Sequence, residues 1–346
     1  MGDIFARILG MLHSANSSVA GLGVLVFLVG CAAHYLIICQ RSGKPASIRG
    51  LFNFTFPLKR LLTTTTRIDL VFYVFSKVAH HLRVVTNIAL TVLVSHLIGA
   101  ALAGQFDDAP LRPDLPIVAL AYALAFVPRD FAHYWVHYLH HKVPALWEFH
   151  KVHHSATYLT PLTTERTHPV EDQIFALAEG LAMGLALGLL RARYAFSDAD
   201  ILVIAPTAIW TARMLALTPL QHSQVPVHFG ILDRIVYSPS LHHVHHSCET
   251  AHWDRNFAEC LSLWDSLFGT YHPLGQDKVT LGLLPDEQQH YGSLLACYVR
   301  PFMRIFQMVV ARPGAVPGGE FLAGEIANPS QGSEISMNLS APARQS

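Results

Sequence analysis

The sequence predicts an all-α protein, a polytopic membrane helical bundle of about four or five spans with a helical cap at one end. Hydrophobic residues make up 51% of the 346-residue chain and charged residues 14%, whereas about 25% of the residues in a soluble domain are charged. Five apolar runs approach the roughly 20 residues that a spanning helix needs. Fifteen of the 22 histidines fall between residues 133 and 252, and their helical spacing indicates the cap.

The composition also excludes several classes of protein. The 24 basic and 24 acidic residues balance, so there is no positive excess of the kind that attracts nucleic acid. The chain is too apolar to be intrinsically disordered. Five cysteines in 346 residues are too few for a disulfide scaffold.

The five apolar runs are the predicted spans. In chain order they cover residues 19–39, 84–104, 116 to about 130, 174–190 and 201–220. Glu179 and Arg213 interrupt the last two runs, and a charge at the membrane centre costs about 2.5–3.5 kcal/mol on insertion scales. We therefore expect both side chains to face the bundle interior or a water-filled cavity. The alternatives are snorkelling, a short interfacial helix, or a hairpin over residues 174–220 that does not fully cross.

The charges of the loops predict the orientation of the bundle. Residues 40–67 hold six basic residues and no acidic one, which favours the cytoplasmic side. Residues 105–115 hold three aspartates and one arginine, which favours the opposite side. Residues 140–170 and the chain after about residue 221 are then expected to share the cytoplasmic face. Arg191 and Arg193 run against this assignment, because their loop is predicted on the far side.

The pattern H-x-x-H-H occurs three times in the histidine-rich region, and random clustering does not account for it. The copies start at His137, His150 and His242. Positions i, i+3 and i+4 lie on one face of a helix, so each copy presents two or three imidazoles to one point. Imidazole is a common ligand of Fe, Zn, Cu and Ni. Three converging copies would supply more nitrogens than one tetrahedral zinc ion accepts, so we expect two metal ions.

Not every histidine of the region is expected to bind metal. His133 lies one turn before the first copy and is expected either to support the ligands from behind or to be structural. His140 lies one residue off the helix face that holds His133, His137 and His141. Both a polar role at the membrane surface and a ligand role stay open for it. His243 points about 100° away from its neighbours, so we expect no ligand role. His228 lies in a proline-flanked loop and is a weak candidate.

The histidine motifs, with their flanking residues, resemble the fatty acid hydroxylase / sterol desaturase superfamily of integral-membrane di-metal oxygenases. The resemblance covers residues 125–271. It rests on D-F-A-H-Y-W-V-H over 130–137, R-T-H-P over 166–169, Q-H-S over 221–223, D-R-N-F over 254–257 and L-W-D-S-L-F-G-T over 263–270, together with the H-x-x-H-H copies. Tyr138 and His243 stand where the family often has arginine, and neither replaces an expected ligand.

The resemblance implies a cytoplasm-facing helical cap that holds two iron ions, with no haem or flavin on this chain. The implied ligands are His137, His141, His150, His153, His154, His222, His242, His245 and His246, with His168 as a tenth candidate. Neutral imidazoles leave the metal charge uncompensated, so nearby carboxylates are expected to orient the rings. Asp130 and Glu165 are the first candidates for this role. The others are Glu171, Asp233, Glu249 and Asp254.

The resemblance also implies the reaction and the partners. The expected reaction is the O2-dependent hydroxylation or desaturation of a lipid C–H bond, and the expected substrate is a fatty acyl chain, a sterol or a related lipid in the bilayer. Two electrons must come from elsewhere, because the chain shows no dinucleotide-binding G-x-G-x-x-G after a strand and no haem or iron–sulfur cysteine pattern. The expected donor is a separate cytochrome b5-like protein, or a ferredoxin-like protein with its reductase. No nucleic-acid partner is expected.

Three regions follow from these patterns. Residues 1–114 are predicted to be an N-terminal membrane region with two spans, residues 115–300 a hydroxylase-like catalytic domain, and residues 301–346 a C-terminal region that is disordered from about 313.

The expected location is a bacterial inner membrane or the endoplasmic reticulum. A membrane metal transporter without oxygenase activity is the main alternative function, and a b-type cytochrome is a second. Which lipid is the substrate, and which carbon reacts, stays open.

Overall fold

The computed structural model describes residues 2–106, 108–275 and 279–310, with side chains from residue 21 onward. Within these ranges the chain forms thirteen α-helices and no β-strand, apart from two isolated β-bridges. The all-α prediction is therefore confirmed. The tail that the sequence predicts to be disordered from about residue 313 lies outside the described residues.

The helices are numbered in chain order. Their bounds are α1 Gly2–Ser42, α2 Ile48–Thr55, α3 Leu58–Leu61, α4 Thr64–Ala103, α5 Leu115–Lys142, α6 Pro144–His154, α7 Pro169–Arg193, α8 Asp198–Leu215, α9 Thr218–Gln221, α10 Pro239–His245, α11 Leu263–Phe268, α12 Pro285–Gln288 and α13 Leu294–Val310. Short 3-10 turns occupy Pro161–Glu165, Gly230–Arg234, Thr250–His252 and Gln289–Tyr291.

Five of the described helical segments are long and apolar enough to cross a membrane, as predicted. They are Gly21–Ser42, Thr64–Ala103, Leu115–Lys142, Pro169–Arg193 and Asp198–Gln221. The second begins 20 residues before its apolar run, and residues 64–83 combine buried polar contacts with exposed apolar side chains such as Val74 and Phe75. Asp69 in this extension forms a buried ion pair with Arg166, with 3.0 Å between Oδ1 and Nη1. The chain is an integral membrane protein by these segments.

The helices α4 and α7 pack closely along a stripe of small residues. A Cβ atom placed on Gly180, Gly184 or Gly188 would lie 2.6–2.7 Å from atoms of α4, closer than side chains can pack. Glycines at this four-residue spacing let two spanning helices approach each other closely. Thr91 of α4 uses the short distance to donate to the carbonyl of Gly180 at 3.3 Å.

The core of the bundle lies between α5, α7 and α8. Ala121 and Ala125 of α5 pack against Met183 and Leu187 of α7 and against Ile204 of α8. The helix α1 packs instead on α2 and α9. The carboxyl ends of α5 and α8 and the amino ends of α4 and α7 meet at one end of the bundle, where α6 and α10 form the cap. The basic loop 40–67 leads into α4 at this same end.

Arg191, one of the two arginines that run against the predicted orientation, lies at the other end of the bundle. Its Nη1 is 2.6 Å from Oδ1 of Asp198.

Candidate metal centre

Nine of the ten histidines predicted as ligands come together in two adjacent groups. The first group contains His137, His141, His150, His154 and His245, and the second contains His153, His222, His242 and His246. Within each group the possible ligand atoms all lie within 4.8 Å of one another. Eight of the rings belong to buried residues, and His141 is half-buried.

The motif on α5 supplies His137 and His141 to the first group only, whereas the motifs on α6 and α10 each serve both groups. On α6, His150 and His154 are four residues apart and turn to the first group, whereas His153 between them turns to the second. The motif on α10 has the reverse arrangement, with His245 in the first group and the other two rings in the second. Positions i and i+4 lie one above the other on a helix, so each of these two motifs turns two rings to one group and one ring to the other.

The imidazole Nε2 atoms of the second group surround one point. His153 Nε2 is 3.1 Å from Nε2 of both His222 and His246, and His242 Nε2 is 2.8 Å and 3.0 Å from the same two atoms. Imidazole nitrogens bind a metal at about 2.0–2.1 Å, which puts neighbouring ligands about 3 Å apart. The spacing therefore fits one metal ion.

The first group has the same character with one more ring. His150 Nε2 is 3.0 Å from Nε2 of His137 and 3.1 Å from Nε2 of His154. The Nε2 atoms of His141 and His245 are buried and have no hydrogen-bond partner within the described part of the chain. A buried polar atom without a partner is costly, and coordination of a metal removes that cost. The residues present thus fit a metal ion here too.

Backbone carbonyls on the outer side of the rings fix which nitrogen faces the centre. Nδ1 of His137 donates to the Phe257 carbonyl at 2.8 Å, and Nδ1 of His245 donates to the Arg255 carbonyl at 2.9 Å. His153 donates in the same way to its backbone acceptor, the Arg166 carbonyl, at 3.2 Å. With the hydrogen on Nδ1, the lone pair of Nε2 is free to bind metal. Backbone acceptors have no sequence signal, so these contacts were not predicted.

One of the expected carboxylates orients a ring. His150 donates from Nδ1 to Glu171 Oε1 at 2.6 Å, and both side chains are buried. Glu171 lies in the first turn of the spanning helix α7. Side-chain hydroxyls fix two rings of the second group: Thr164 Oγ1 is 3.2 Å from Nδ1 of His222, and the Tyr237 hydroxyl is 3.5 Å from Nδ1 of His242.

Asp130 and Glu165, expected to orient rings, have other contacts. Asp130 accepts from the backbone amides of Cys260 and Leu261, both at 3.1 Å, and from Trp264 Nε1 at 2.9 Å. It lies about two turns before His137 on α5 and secures the loop after residue 257 instead of a ring. Glu165 accepts from the Ser76 hydroxyl at 3.4 Å.

The other three expected carboxylates also bond elsewhere. Asp233 accepts from the amide of Phe229, Glu249 from the hydroxyl of Thr280, and Asp254 from the amine of Lys142.

His168 lies outside both groups, and both of its ring nitrogens have partners. Nδ1 accepts from the Val170 amide at 3.2 Å, which caps α7, and Nε2 donates to the Tyr298 carbonyl at 3.2 Å. A ring that uses both nitrogens in this way has no lone pair left for a metal. The correction to the expected ligand set is therefore the removal of His168, which acts as a helix cap.

The histidines given no clear ligand role also lie outside the two groups. His140 places Nδ1 2.8 Å from the Val136 carbonyl. His133 is hydrogen bonded to Glu179 at 2.9 Å, which agrees with the expected structural role. His243 is buried and belongs to neither group.

Burial keeps the ligand rings uncharged. It lowers the pKa of His153 to about 3 and the pKa of His245 to about 4, and neighbouring imidazoles reinforce the effect at His153. Burial, together with the surrounding rings, also lowers the pKa of His150 and His246 well below the ordinary value of 6.5. Only a neutral imidazole binds metal, so the centre is ready for metal at neutral pH.

A cavity of about 120 Å³ lies between the two histidine groups and the spanning helices of the bundle. Rings of both groups line it, and so do Glu179 and Arg213. The prediction that these two intramembrane charges face the interior or a cavity is therefore correct. Glu179 belongs to a buried ion network: its Oε1 lies 3.4 Å from Nη2 of Arg83 and 3.2 Å from Nη2 of Arg129.

The rest of this network was not predicted. Arg129 also pairs with Glu259, and Arg83 pairs with Asp172 at 3.2 Å. The sequence gives only a weak indication of this network: Arg83 and Arg129 stand at the ends of apolar runs, where an arginine can also face water. An intramembrane arginine usually has a partner inside the bundle.

Comparison with known proteins agrees with this geometry. Residues 122–270 match the family model for fatty acid hydroxylase, close to the 125–271 expected from the motifs, and all nine clustered histidines lie inside the match. No solved structure matches the chain.

Two kinds of relative are similar to the chain. It is 31% identical over 194 residues to the ornithine lipid hydroxylase OlsE of Rhizobium tropici, an alignment that covers 56% of this chain and 53% of that protein. It is 32% and 29% identical over 162 residues to the alkylglycerol monooxygenases of Danio rerio and Homo sapiens, covering 46% of this chain and 32% of each relative. The chain thus spans about half the length of the first relative and about a third of the others.

Proposed function

We propose, from the match of residues 122–270 to the family model for fatty acid hydroxylase, that this protein is a membrane di-iron oxygenase that hydroxylates or desaturates a C–H bond of a lipid. The observation that carries the proposal is the convergence of nine histidines in two groups at one end of a membrane bundle. The family match by itself does not say which residues bind metal. The two histidine groups by themselves do not say which reaction takes place.

The donor set supports two iron ions. The first group would hold one ion through His137, His141, His150, His154 and His245, and the second would hold the other through His153, His222, His242 and His246. All-imidazole sites suit iron, zinc, copper and nickel, and the family supports iron among these. When bound, the two ions supply activation of O2 and abstraction of hydrogen from an unactivated C–H bond.

The chain itself positions the ligands and shapes the site. Glu171 fixes the tautomer of His150 and contributes a negative charge beside a set of neutral ligands. Backbone carbonyls do the same for His137, His153 and His245 without adding charge. Burial of the rings keeps bulk water from the centre. The cavity on the bundle side supports entry of the substrate from the bilayer.

A cytoplasmic location of the centre is part of the proposal. The metal-centre end of the bundle is also the end where the basic loop 40–67 joins α4, and basic loops favour the cytoplasmic side. A bacterial inner membrane and the endoplasmic reticulum both meet this condition. The electrons would come from a separate cytochrome b5-like or ferredoxin-like donor on this side.

The names of the relatives support a polar lipid as the substrate. One relative is named for the hydroxylation of ornithine lipid and the others for the oxygenation of alkylglycerol, and both names describe lipids with a polar end.

The alternative of a metal transporter would favour histidines distributed along the spans. The nine clustered rings lie at one end instead, so we favour the enzyme.

Lipid analysis of the host organism tests the proposed function. Cells with the gene are compared with cells lacking it, and with cells that carry a His150→Ala variant. The expected result is a lipid class that gains one oxygen atom or loses two hydrogen atoms only when the wild-type gene is present. If every lipid class is the same in all three strains, the proposal is overturned.

A further inference from the structure

Arg213 on α8 and His80 on α4 meet where these two helices pack beside the metal centre. Nη1 of Arg213 lies 3.1 Å from Nε2 of His80. Both residues are half-buried, and both line the cavity that the rings of the metal centre also line. An arginine inside a spanning segment is costly and marks a functional site by default.

Arg213 differs from the other two arginines of the cavity. Arg83 and Arg129 each form ion pairs with two carboxylates. Three carboxylates also line the cavity, and each already has a partner: Glu179 and Glu259 pair with these arginines, and Glu171 accepts from His150. No carboxylate of the described residues lies within 4.0 Å of the Arg213 guanidinium, so Arg213 forms no ion pair with the described chain.

After their contact, the side chains of Arg213 and His80 have only hydrogen-bond donors left to offer. A guanidinium has donors and no acceptor, so Nε2 of His80 accepts this hydrogen bond and the ring hydrogen is on Nδ1. The pair therefore offers the remaining guanidinium N–H groups and one imidazole N–H. Such a set matches the oxygens of a phosphate or a carboxylate, which a guanidinium can bind in a bidentate way.

We propose that Arg213 and His80 form a subsite that binds the phosphate or carboxylate group of an amphiphile whose apolar part extends into the cavity beside the metal centre. Val84, Phe175 and Ile209 line the same cavity and provide its apolar surface. The subsite rests on the proposed function in one respect, which is that the cavity receives a lipid. It adds that the lipid has an anionic group, held at the seam between α4 and α8.

Binding to the full-length protein in a nonionic detergent tests the subsite without iron, O2 or turnover. The probes are dodecyl phosphate, dodecanoate, neutral dodecanol of the same chain length, and inorganic phosphate, each measured by isothermal titration calorimetry. The expected result for the wild-type protein is at least about tenfold tighter binding of the two anionic amphiphiles than of dodecanol, a difference of about 1.4 kcal/mol. Inorganic phosphate is expected to bind weakly.

Two variants and a control identify the residue responsible. Arg213→Gln is expected to abolish the preference for the anionic amphiphiles, and Arg213→Lys is expected to keep part of it. Arg191→Gln is the matched control, because this arginine lies at the other end of the bundle beside Asp198, and it is expected to keep the full preference. Thermal unfolding of each variant shows whether it is folded.

Three results would overturn the proposal. They are equal binding of dodecanol and dodecyl phosphate to the wild-type protein, an equal preference in folded Arg213→Gln and Arg191→Gln, and inorganic phosphate binding as tightly as dodecyl phosphate. Since binding is measured without iron, a protein that shows the preference but alters no cellular lipid contradicts only the proposed function. A protein that alters a lipid without the preference contradicts only the subsite.

Discussion

His150 donates its Nδ1 hydrogen to Glu171 over 2.6 Å, and this contact joins a ring of the first histidine group to the first turn of a spanning helix. The contact couples the cap to the membrane bundle, because His150 lies on α6 and Glu171 on α7. It also fixes the ring so that Nε2 faces the centre. Glu171 is the one described carboxylate that meets a ring of the two groups directly.

Replacement of Glu171 is expected to weaken iron binding. Glu171→Gln keeps an acceptor for His150 but removes the negative charge, and loss of such a partner typically costs 10–100-fold in metal affinity. The affinity is measured by competition with a chelator. Glu165→Gln is the control, because Glu165 contacts Ser76 and no ring of the centre. Wild-type affinity in Glu171→Gln, or an equal loss in both variants, would contradict the assigned role.

Substitution of His153 and of His168 is expected to separate ligation from helix capping. His153→Ala removes one of four nitrogens of the second group, so the iron content is expected to fall from two ions per chain toward one. His168→Ala is expected to keep both ions and to lower stability by about 1 kcal/mol, the usual cost of a lost helix cap. Iron content and thermal unfolding of the two variants provide the test, and iron loss in His168→Ala would contradict the capping role.

The ion network beneath the centre is expected to be essential for folding. Arg129 is 2% exposed and pairs with Glu179 and Glu259. Arg129→Met would leave the half-buried Glu259 without its arginine partner and the buried Glu179 with Arg83 alone, and breaking a buried pair typically costs about 3–5 kcal/mol. Arg191→Met is the control: its partner Asp198 is 52% exposed, and exposed pairs contribute about 0–1 kcal/mol. The folded yield in detergent compares the two, and an equal yield would count against the network.

Metal binding is expected to be nearly independent of pH between about pH 6 and pH 8. Burial lowers the pKa of His153 to about 3 and the pKa of His245 to about 4 in the folded protein, so few protons need to leave when metal binds. The apparent affinity for Co²⁺ at several pH values measures this. An affinity that rises about tenfold or more for each pH unit would show that the rings are protonated before binding.

The same lowered pKa values predict the stability of the metal-free protein. The unfolded chain takes up protons near the ordinary histidine value of 6.5, whereas the folded chain does so only near pH 3–4. The contribution of these rings to stability is therefore fully present above pH 6.5 and is lost as the pH falls toward the folded-state values. Thermal unfolding over this range is the measurement, and unchanged stability would contradict the shifts.

The histidines that come together could be predicted from the sequence because their spacing is local. His150, His153 and His154 share one helical turn, and a turn is determined by neighbouring residues. The division of the rings between two groups was not predictable, because it depends on how α5, α6 and α10 are placed relative to one another. The hydrogen bonds from the rings to the Phe257 and Arg255 carbonyls were missed because every residue has such an acceptor.

The errors in the membrane region have a related cause. The second span was predicted from its apolar run alone, yet α4 starts at Thr64 because long-range contacts such as Asp69 with Arg166 stabilise its polar half. Asp130 was expected to orient a ring as one of the carboxylates near the implied ligands. Its actual partners, the amides of residues 260 and 261, lie about 130 residues away in the chain.

The metal content of the purified wild-type protein tests the central claim most directly. The full-length chain is isolated from cells grown with iron, and its metals are counted by inductively coupled plasma mass spectrometry. We predict two iron ions per chain, one for each histidine group. A chain that retains no metal, or that holds zinc in place of iron, would contradict the claim.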